Sequence, residues 1–110
     1  MASAAEWIVD NIEDCPSVAE LARRFAMSER NFSRRFGREV GMSPHAFIEQ
    51  TRLEAARRWL AGSEAPLETV ARRAGFTSGE HMGQAFRRNL HVTPAAYRKA
   101  ARETARDGGA

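Results

Sequence analysis

Arginine recurs in this chain at a spacing that suits anion binding. Arg30, Arg34 and Arg38 are each four residues apart, so a helix would carry all three on one face. Guanidinium groups bind phosphate oxygens and pair bidentately with guanine, and an amide such as that of Asn31 pairs with adenine. Arg87 and Arg88 stand in a second such segment. These residue types favour recognition of a nucleic acid over bond-making chemistry.

The charge is uneven along the chain. Residues 1–16 contain four acids and no base, whereas the remainder carries all seventeen bases against ten acids. A body with this excess attracts polyanions, although charged helices also simply keep a protein in solution.

Other chemistry has few candidates. Cys15 is the only cysteine. It follows two acids and has no adjacent base to make it a thiolate, which disfavours an enzyme that transfers alkyl groups to cysteine. The three histidines are scattered, so we expect no metal site, no cofactor and no catalysis. No apolar run reaches membrane length and no signal peptide opens the chain, so we expect no membrane partner and a cytoplasmic location.

An internal repeat organises the sequence. FGREVGMSPHAF, from Phe36, matches FRRNLHVTPAAY, from Phe86. Upstream, SVAELARRFAM matches PLETVARRAGF, with one extra residue in the second turn. We infer that two copies of one small fold share the chain, each too small to be very stable alone.

Apolar spacing and capping residues predict an all-α fold of seven helices. We expect helices at about 5–13, 18–25, 29–40, 44–61, 66–74, 78–90 and 94–102. The helix starts include a capping box at Ser17 to Glu20 and the pairs Ser43-Pro44 and Thr93-Pro94. One DNA-binding domain, 1–110, would then comprise a first module at 5–42, a linker helix at 43–62, a second module at 63–102 and a frayed tail at 103–110.

Each module has the frame of a helix-turn-helix, with a short helix, a tight turn and a second helix. Ala22 and Ala71 are small residues at the helix crossing, and Ala26 and Gly75 lie in the turns. The linker helix has two apolar stripes, one including Ile48 and Trp59 and the other Leu53 and Leu60, as expected if each module packs on one side of it.

In the first module the second helix buries Phe32, Phe36 and Val40 and exposes the opposite face. That face holds Arg30, Ser33, Arg34, Gly37 and Arg38, with Asn31 at its margin. We expect it to contact a major groove of DNA.

The second module exposes Glu80, Gly83, Gln84, Arg87 and Arg88, with His81 at the margin. Either Ser78 or Thr77 caps this helix. Glu80 either accepts from a cytosine or completes a capping box with Thr77, and we favour the capping box. Gln84 suits adenine, whereas Arg87 and Arg88, like Arg38, suit phosphate. We therefore predict that the first module reads more sequence and the second contributes more docking. A rigid linker of about 27 Å would let one chain reach successive grooves about 34 Å apart.

Residues 5–102 resemble the DNA-binding domain of the AraC/XylS family of bacterial transcription regulators. The resemblance is carried by PLETVARRAGFTSGEHMGQAFRRNLHVTPAAYR and by SVAELARRFAMSERNFSRRF with GMSPHAF. SPHAFIEQTRLEAARRWL is similar to the branch whose members carry an N-terminal DJ-1/amidase-like domain. The resemblance implies a regulator, more often an activator, that binds double-stranded DNA and contacts RNA polymerase. It also implies an effector or dimerisation domain outside these 110 residues, through which a full-length protein would oligomerise. The chain itself is expected to be monomeric, because it already has two reading heads.

By the same resemblance, eight residues occupy base-contacting positions. They are Arg30, Asn31, Ser33 and Arg34 in the first module and Glu80, His81, Gly83 and Gln84 in the second. Many members carry arginine where this chain has Gln84. The alternative is a helical protein-interaction module that does not bind DNA, but such a surface would show apolar residues where this chain places arginines.

Overall fold

The computed structural model describes the backbone of residues 2–108 and the side chains of residues 4–104. Within that range the chain is all-α, with seven α-helices and no strand. The helices are α1 (Ala2–Asp10), α2 (Val18–Arg24), α3 (Glu29–Val40), α4 (Pro44–Gly62), α5 (Leu67–Arg73), α6 (Gly79–Leu90) and α7 (Pro94–Gly108), with a 3₁₀ turn at Ile12–Asp14. The prediction of seven helices is confirmed.

Hydroxyl side chains begin most of the helices, as the sequence predicts. Ser17 Oγ accepts from the Glu20 amide at 3.2 Å, and Ser28 Oγ accepts from the Asn31 amide at 3.2 Å. The two Ser/Thr-Pro pairs behave alike, since Ser43 Oγ and Thr93 Oγ1 each accept at 3.1 Å from the amide three residues on. Each bond satisfies a donor that the first helical turn leaves without a partner.

Three helix boundaries differ from the prediction by more than one residue. The first helix spans Ala2–Asp10 rather than 5–13, and residues 12–14 form a separate 3₁₀ turn. At the other end of the chain, α7 runs to Gly108 rather than to residue 102, because neither proline nor glycine interrupts the helix before Gly108. Fraying of the last residues remains a prediction about motion.

The chain divides into two compact units, Met1–Thr51 and Arg52–Ala110, so the division falls inside α4. In the first unit, Ile8 of α1, Leu21 of α2 and Ile48 of α4 surround the rings of Phe32 and Phe36, and all five are buried. Burial of these apolar side chains is the main contribution to the stability of the unit.

The second unit repeats this core. Its buried residues include Leu60, Val70, Met82 and Phe86. Trp59, which the helical spacing places on an apolar stripe, is instead 38% exposed, with the guanidinium of Arg73 6.0 Å from its ring centroid. Leu60 takes the buried position of that turn, so the neighbouring indole lies at the edge of the core.

Candidate nucleic-acid interface

Both helix-turn-helix frames are closed in the same way. Ala22 and Ala71 are buried at the helix crossings, where a larger side chain would push the helices apart. The Met27 amide donates to Ala22 O at 2.9 Å, and the Phe76 amide donates to Ala71 O at 2.8 Å. These bonds fix the start of α3 against α2 and the start of α6 against α5.

The outer face of α3 is basic and accessible. Arg30, Arg34 and Arg38 are exposed, and Ser33 and Asn31 are half-buried. A concavity of about 360 Å³ at the start of this face is lined by Ser28, Arg30, Asn31 and Arg34. The predicted recognition residues of the first module therefore share one surface.

The side chains of Asn31 and Arg34 are hydrogen-bonded to each other. Arg34 Nη2 donates to Asn31 Oδ1 at 3.0 Å. The amide oxygen of Asn31 therefore orients the guanidinium of Arg34. This hydrogen bond uses one of the five N–H donors of that guanidinium, which leaves other donors for a ligand. On the flank of α3, Arg35 lies 3.8 Å from Glu39 in an ion pair between residues i and i+4.

The outer face of α6 carries fewer bases. Glu80, Gln84, Arg87 and Arg88 are exposed. Gln84 stands one helical turn after Glu80, so the two polar groups lie along one line of the helix, with the arginines nearer its C-terminal end.

The predicted capping box of Thr77 and Glu80 is wrong. The N-cap of α6 is Ser78, whose Oγ accepts from the His81 amide at 3.1 Å. Because the cap lies one residue later, the third helical position is His81, and its Nδ1 accepts from the Thr77 amide at 3.2 Å. Glu80 is thereby left exposed on the outer face.

His81 is also held by a ring contact. It meets Phe76 edge-on, with ring centroids 5.0 Å apart. Its Nδ1 already has a partner, so only Nε2 is left to face a ligand. The first role of His81 is therefore structural, because it accepts a hydrogen bond from the Thr77 amide just before the N-cap Ser78.

Gly83 differs most from its predicted place on the exposed face, because it is buried. A Cβ built at this position would lie 3.8 Å from Arg87 Nη1. The Arg87 side chain, one turn further along α6, covers this backbone. A ligand that approaches Gly83 along the direction of this Cβ would therefore meet Arg87 first.

Glu68 is a residue of this site that the sequence reasoning missed. Its Oε2 accepts a hydrogen bond from the Gly79 amide at the first position of α6, and so ties α5 to the start of the second recognition helix. A Cβ on residue 79 would lie 2.6 Å from that same oxygen. The signal was an acid in the first turn of one helix and a glycine at the start of the next.

Residues considered for other chemistry lie apart. Cys15 is half-buried against the core of the first unit, with Sγ 3.5 Å from Pro16 O. Among the side chains that the structure describes, no three of the types His, Cys, Asp and Glu gather as metal ligands. None of the described helices is both long and apolar enough to cross a membrane.

The comparisons with known proteins agree with this geometry. A family model described as a helix-turn-helix domain matches residues 21–100. The DNA-binding domain of AdpA, a global transcriptional factor solved in complex with a target DNA, has a TM-score of 0.89 and 36% identity over 94% of this chain and 93% of that one. This chain belongs to the AraC-type helix-turn-helix family.

Two further proteins similar to this chain are transcriptional regulators. A regulator from Chromobacterium violaceum, described as containing an AraC-type DNA-binding domain, has a TM-score of 0.78 and 26% identity, over 91% of this chain and 89% of that one. The HTH-type transcriptional regulator Rv1931c of Mycobacterium tuberculosis (strain ATCC 25618 / H37Rv) is 43% identical over 83 residues, which are 76% of this chain and 32% of the relative. This chain thus matches about a third of that relative.

Proposed function

We propose that this chain binds double-stranded DNA in a sequence-specific manner as part of a bacterial transcription regulator. The observation that carries the proposal is the basic face of α3, where Arg30 and Arg34 are exposed on a helix whose opposite side is locked to the core by Phe32 and Phe36. A recognition helix needs this combination of a fixed inner face and a donor-rich outer face.

In this proposal α3 and α6 enter successive major grooves. Arg34 reads guanine with Asn31 as its support, while Arg30 and Ser33 contact neighbouring bases or their phosphates. On α6, Gln84 suits adenine and Glu80 suits the cytosine amino group, and Arg38, Arg87 and Arg88 hold phosphates. His81 and Gly83 contribute less to base reading than their positions in the family imply, because one is a cap and the other is covered.

The regulatory role follows from the family and from the fraction of the relatives that this chain matches. We propose that it directs a larger regulator, working in the cytoplasm, to a promoter, where the whole protein activates transcription through RNA polymerase. With two recognition helices in one chain, the 110 residues would bind their site as a monomer, without catalysis.

Selection from a randomised duplex pool, followed by a salt titration, tests the proposal. We expect enrichment of an asymmetric site with two short blocks about one helical turn apart, and an affinity that falls steeply with salt. If no sequence is enriched and the protein binds all duplexes equally weakly, with an affinity that depends only on the salt concentration, sequence-specific binding by this chain is excluded.

A further inference from the structure

The internal repeat extends beyond the helix-turn-helix to the helix that precedes it. Residues 4–10, AAEWIVD, align with residues 56–62, ARRWLAG. The buried positions coincide, since Ala4 and Ile8 match Ala56 and Leu60, and all four have no exposed surface. In both copies the last residue of the next helix is an arginine whose guanidinium lies over the tryptophan ring. Arg24 is 4.5 Å from the Trp7 centroid, and Arg73 is 6.0 Å from the Trp59 centroid.

This alignment makes two grooves equivalent. In the first unit a groove of about 440 Å³ is lined by Ala5, Glu6, Val9, Asp10 and Phe47. In the second unit a groove of about 400 Å³ is lined by Glu54, Arg57, Arg58, Ala61 and Tyr97. Four of the five positions in the first groove have a counterpart in the second, because Phe47 corresponds to Tyr97 as Phe36 does to Phe86.

In the second groove a side chain of α4, that of Arg57, lies against the aromatic ring of Tyr97. Arg57 Nε donates to the Tyr97 hydroxyl at 3.1 Å, and the guanidinium carbon lies 5.6 Å from the ring centroid. The hydrogen bond to Tyr97 raises the pKa of Arg57. An arginine therefore packs against the ring in the second groove, through a hydrogen bond to the hydroxyl and a cation–π contact, and only the cation–π contact is possible at Phe47.

In the first groove the position of Arg57 holds a small side chain, and the neighbouring charges are negative rather than positive. Ala5 stands where the second copy has Arg57, so no long side chain at that position covers Phe47, which is half-buried. Glu6 replaces Arg58, and Asp10 replaces Gly62, so two exposed carboxylates border the ring. Beside them Val9 is 49% exposed. The groove thus combines an aromatic face, two acids and an apolar neighbour.

We propose that this groove on α1 binds an arginine side chain from a basic, amphipathic helix of a separate polypeptide. The guanidinium lies over Phe47, as Arg57 lies over Tyr97, and pairs with Glu6 and Asp10, while an apolar residue of the same helix covers Val9. Charge complementarity favours this occupant, because α1 belongs to the acidic first sixteen residues of an otherwise basic chain.

The groove on α1 and the basic face of α3 can be bound at the same time. Ile8 of α1 packs in the same core cluster as Phe32 and Phe36, which form the buried face of α3. The arginines of α3 lie on the opposite side of that helix, so a partner on α1 does not need to displace what α3 binds. The inference therefore stands whether or not the chain binds DNA.

Titration of the ¹⁵N-labelled 110-residue chain with the blocked peptide Ac-ALARALLARAL-NH₂ tests the proposal. Its control is the same peptide with glutamine for arginine. We expect the arginine peptide to shift the amide signals of Ala5 to Asp10 and Phe47, and to bind about fivefold tighter than its control. Equal binding of both peptides, or shifts confined to α3 and α6, would overturn the proposal.

Three variants sharpen the test. Ala5→Arg supplies the missing side chain in cis and should abolish peptide binding while leaving the helical circular dichroism unchanged. The pair Glu6→Gln and Asp10→Asn should weaken binding about threefold to tenfold. As a control, Glu13→Gln with Asp14→Asn makes the same charge change outside the groove. It should change the binding free energy by less than half as much. An equal change would mean that general electrostatic attraction, and not this groove, binds the peptide.

Sedimentation of the unliganded chain should show a monomer. A dimer that Ala5→Arg dissociates would assign the groove to a second copy and overturn the separate partner.

Discussion

Ala26 and Gly75 occupy the same place in the two turns, and both have a left-handed backbone, with φ of 58° and 97°. The second copy has a glycine there and the first does not. At the C-terminal ends of the recognition helices the assignment is reversed, since Gly41 has φ of 92° and its counterpart His91 has φ of 61°. Each module therefore contains one left-handed residue with a side chain, and the residue differs between modules.

Replacing Ala26 with glycine should stabilise the protein. A residue with a side chain costs roughly 1–2 kcal/mol in the left-handed region, and glycine avoids this cost. Glycine also loses more conformational entropy on folding, which offsets part of the gain. We therefore expect the free energy of unfolding to rise by about 0.5–1 kcal/mol. Ala26 is exposed, and its methyl group contributes no core packing. Urea unfolding measures the change. Gly75→Ala is the matched reverse variant and should lose about 1 kcal/mol; a loss of stability in Ala26→Gly would contradict the argument.

Glu68 and Gly79 should behave as a coupled pair. Glu68→Gln keeps the length of the side chain but loses the charge that faces the start of α6, and should cost about 0.5–1 kcal/mol of unfolding free energy. Gly79→Ala alone displaces Glu68, because its Cβ would lie 2.6 Å from Oε2. In a Glu68→Ala background the same substitution should be more favourable, since no carboxylate is displaced. A double-mutant cycle by thermal unfolding measures the coupling, and strict additivity would refute it.

Most of the fold could be read from the sequence because its signals are local. Ser28 and Gly41 mark the ends of α3, and the structure begins and ends that helix at Glu29 and Val40. The repeat did the rest, since each copy supported the interpretation of the other. Trp59 was misplaced because helical spacing identifies a stripe of the wheel, whereas burial depends on which neighbouring elements cover each position along it.

The site was less predictable, because it depends on choices between nearby residues. Thr77 and Ser78 are both good caps, and choosing Ser78 moves the third helical position from Glu80 to His81. The cover of Gly83 by Arg87 and the hydrogen bond that Arg34 donates to Asn31 depend on side-chain rotamers, which sequence spacing does not specify. Glu68 is eleven residues from its partner Gly79, so the sequence shows the acid and the glycine but not that they are in contact.

Asn31 should act on specificity through Arg34. Because Asn31 Oδ1 accepts from Arg34 Nη2 at 3.0 Å, Asn31→Ala frees the guanidinium and should relax the preference at the base pair that Arg34 reads. Arg34→Ala should remove that preference at a cost of about 1–3 kcal/mol, and the double variant should add little more. Selection profiles for the three variants provide the measurement. A preference lost at a different base pair in Asn31→Ala would mean that Asn31 reads DNA by itself.

The two modules should differ in what they lose on substitution. Gln84→Ala should relax base preference less than Arg34→Ala, because the hydrogen bonds of a neutral amide are weaker than those of a charged guanidinium. Arg35→Ala is the control, since it removes a charge from α3 at the flank where Arg35 pairs with Glu39. It should lower affinity without changing the selected sequence. Equal relaxation by Arg34→Ala and Gln84→Ala would show that the modules share the reading equally.

The exposed arginines near the ends of the recognition helices should determine the salt dependence of binding. Each phosphate contact releases a counterion, so Arg38→Ala and Arg88→Ala should each lower the slope of log K against log salt by about 0.9 while leaving the selected site unchanged. Arg87→Ala should have a second effect, because it also uncovers the backbone at Gly83. We therefore expect Arg87→Ala to reduce the slope and also to change the base preference of the second module. Arg87→Lys, which keeps the charge on a narrower head group, should restore the slope more fully than the preference. If Arg87→Ala changed only the slope, the cover over Gly83 would have no role in reading DNA.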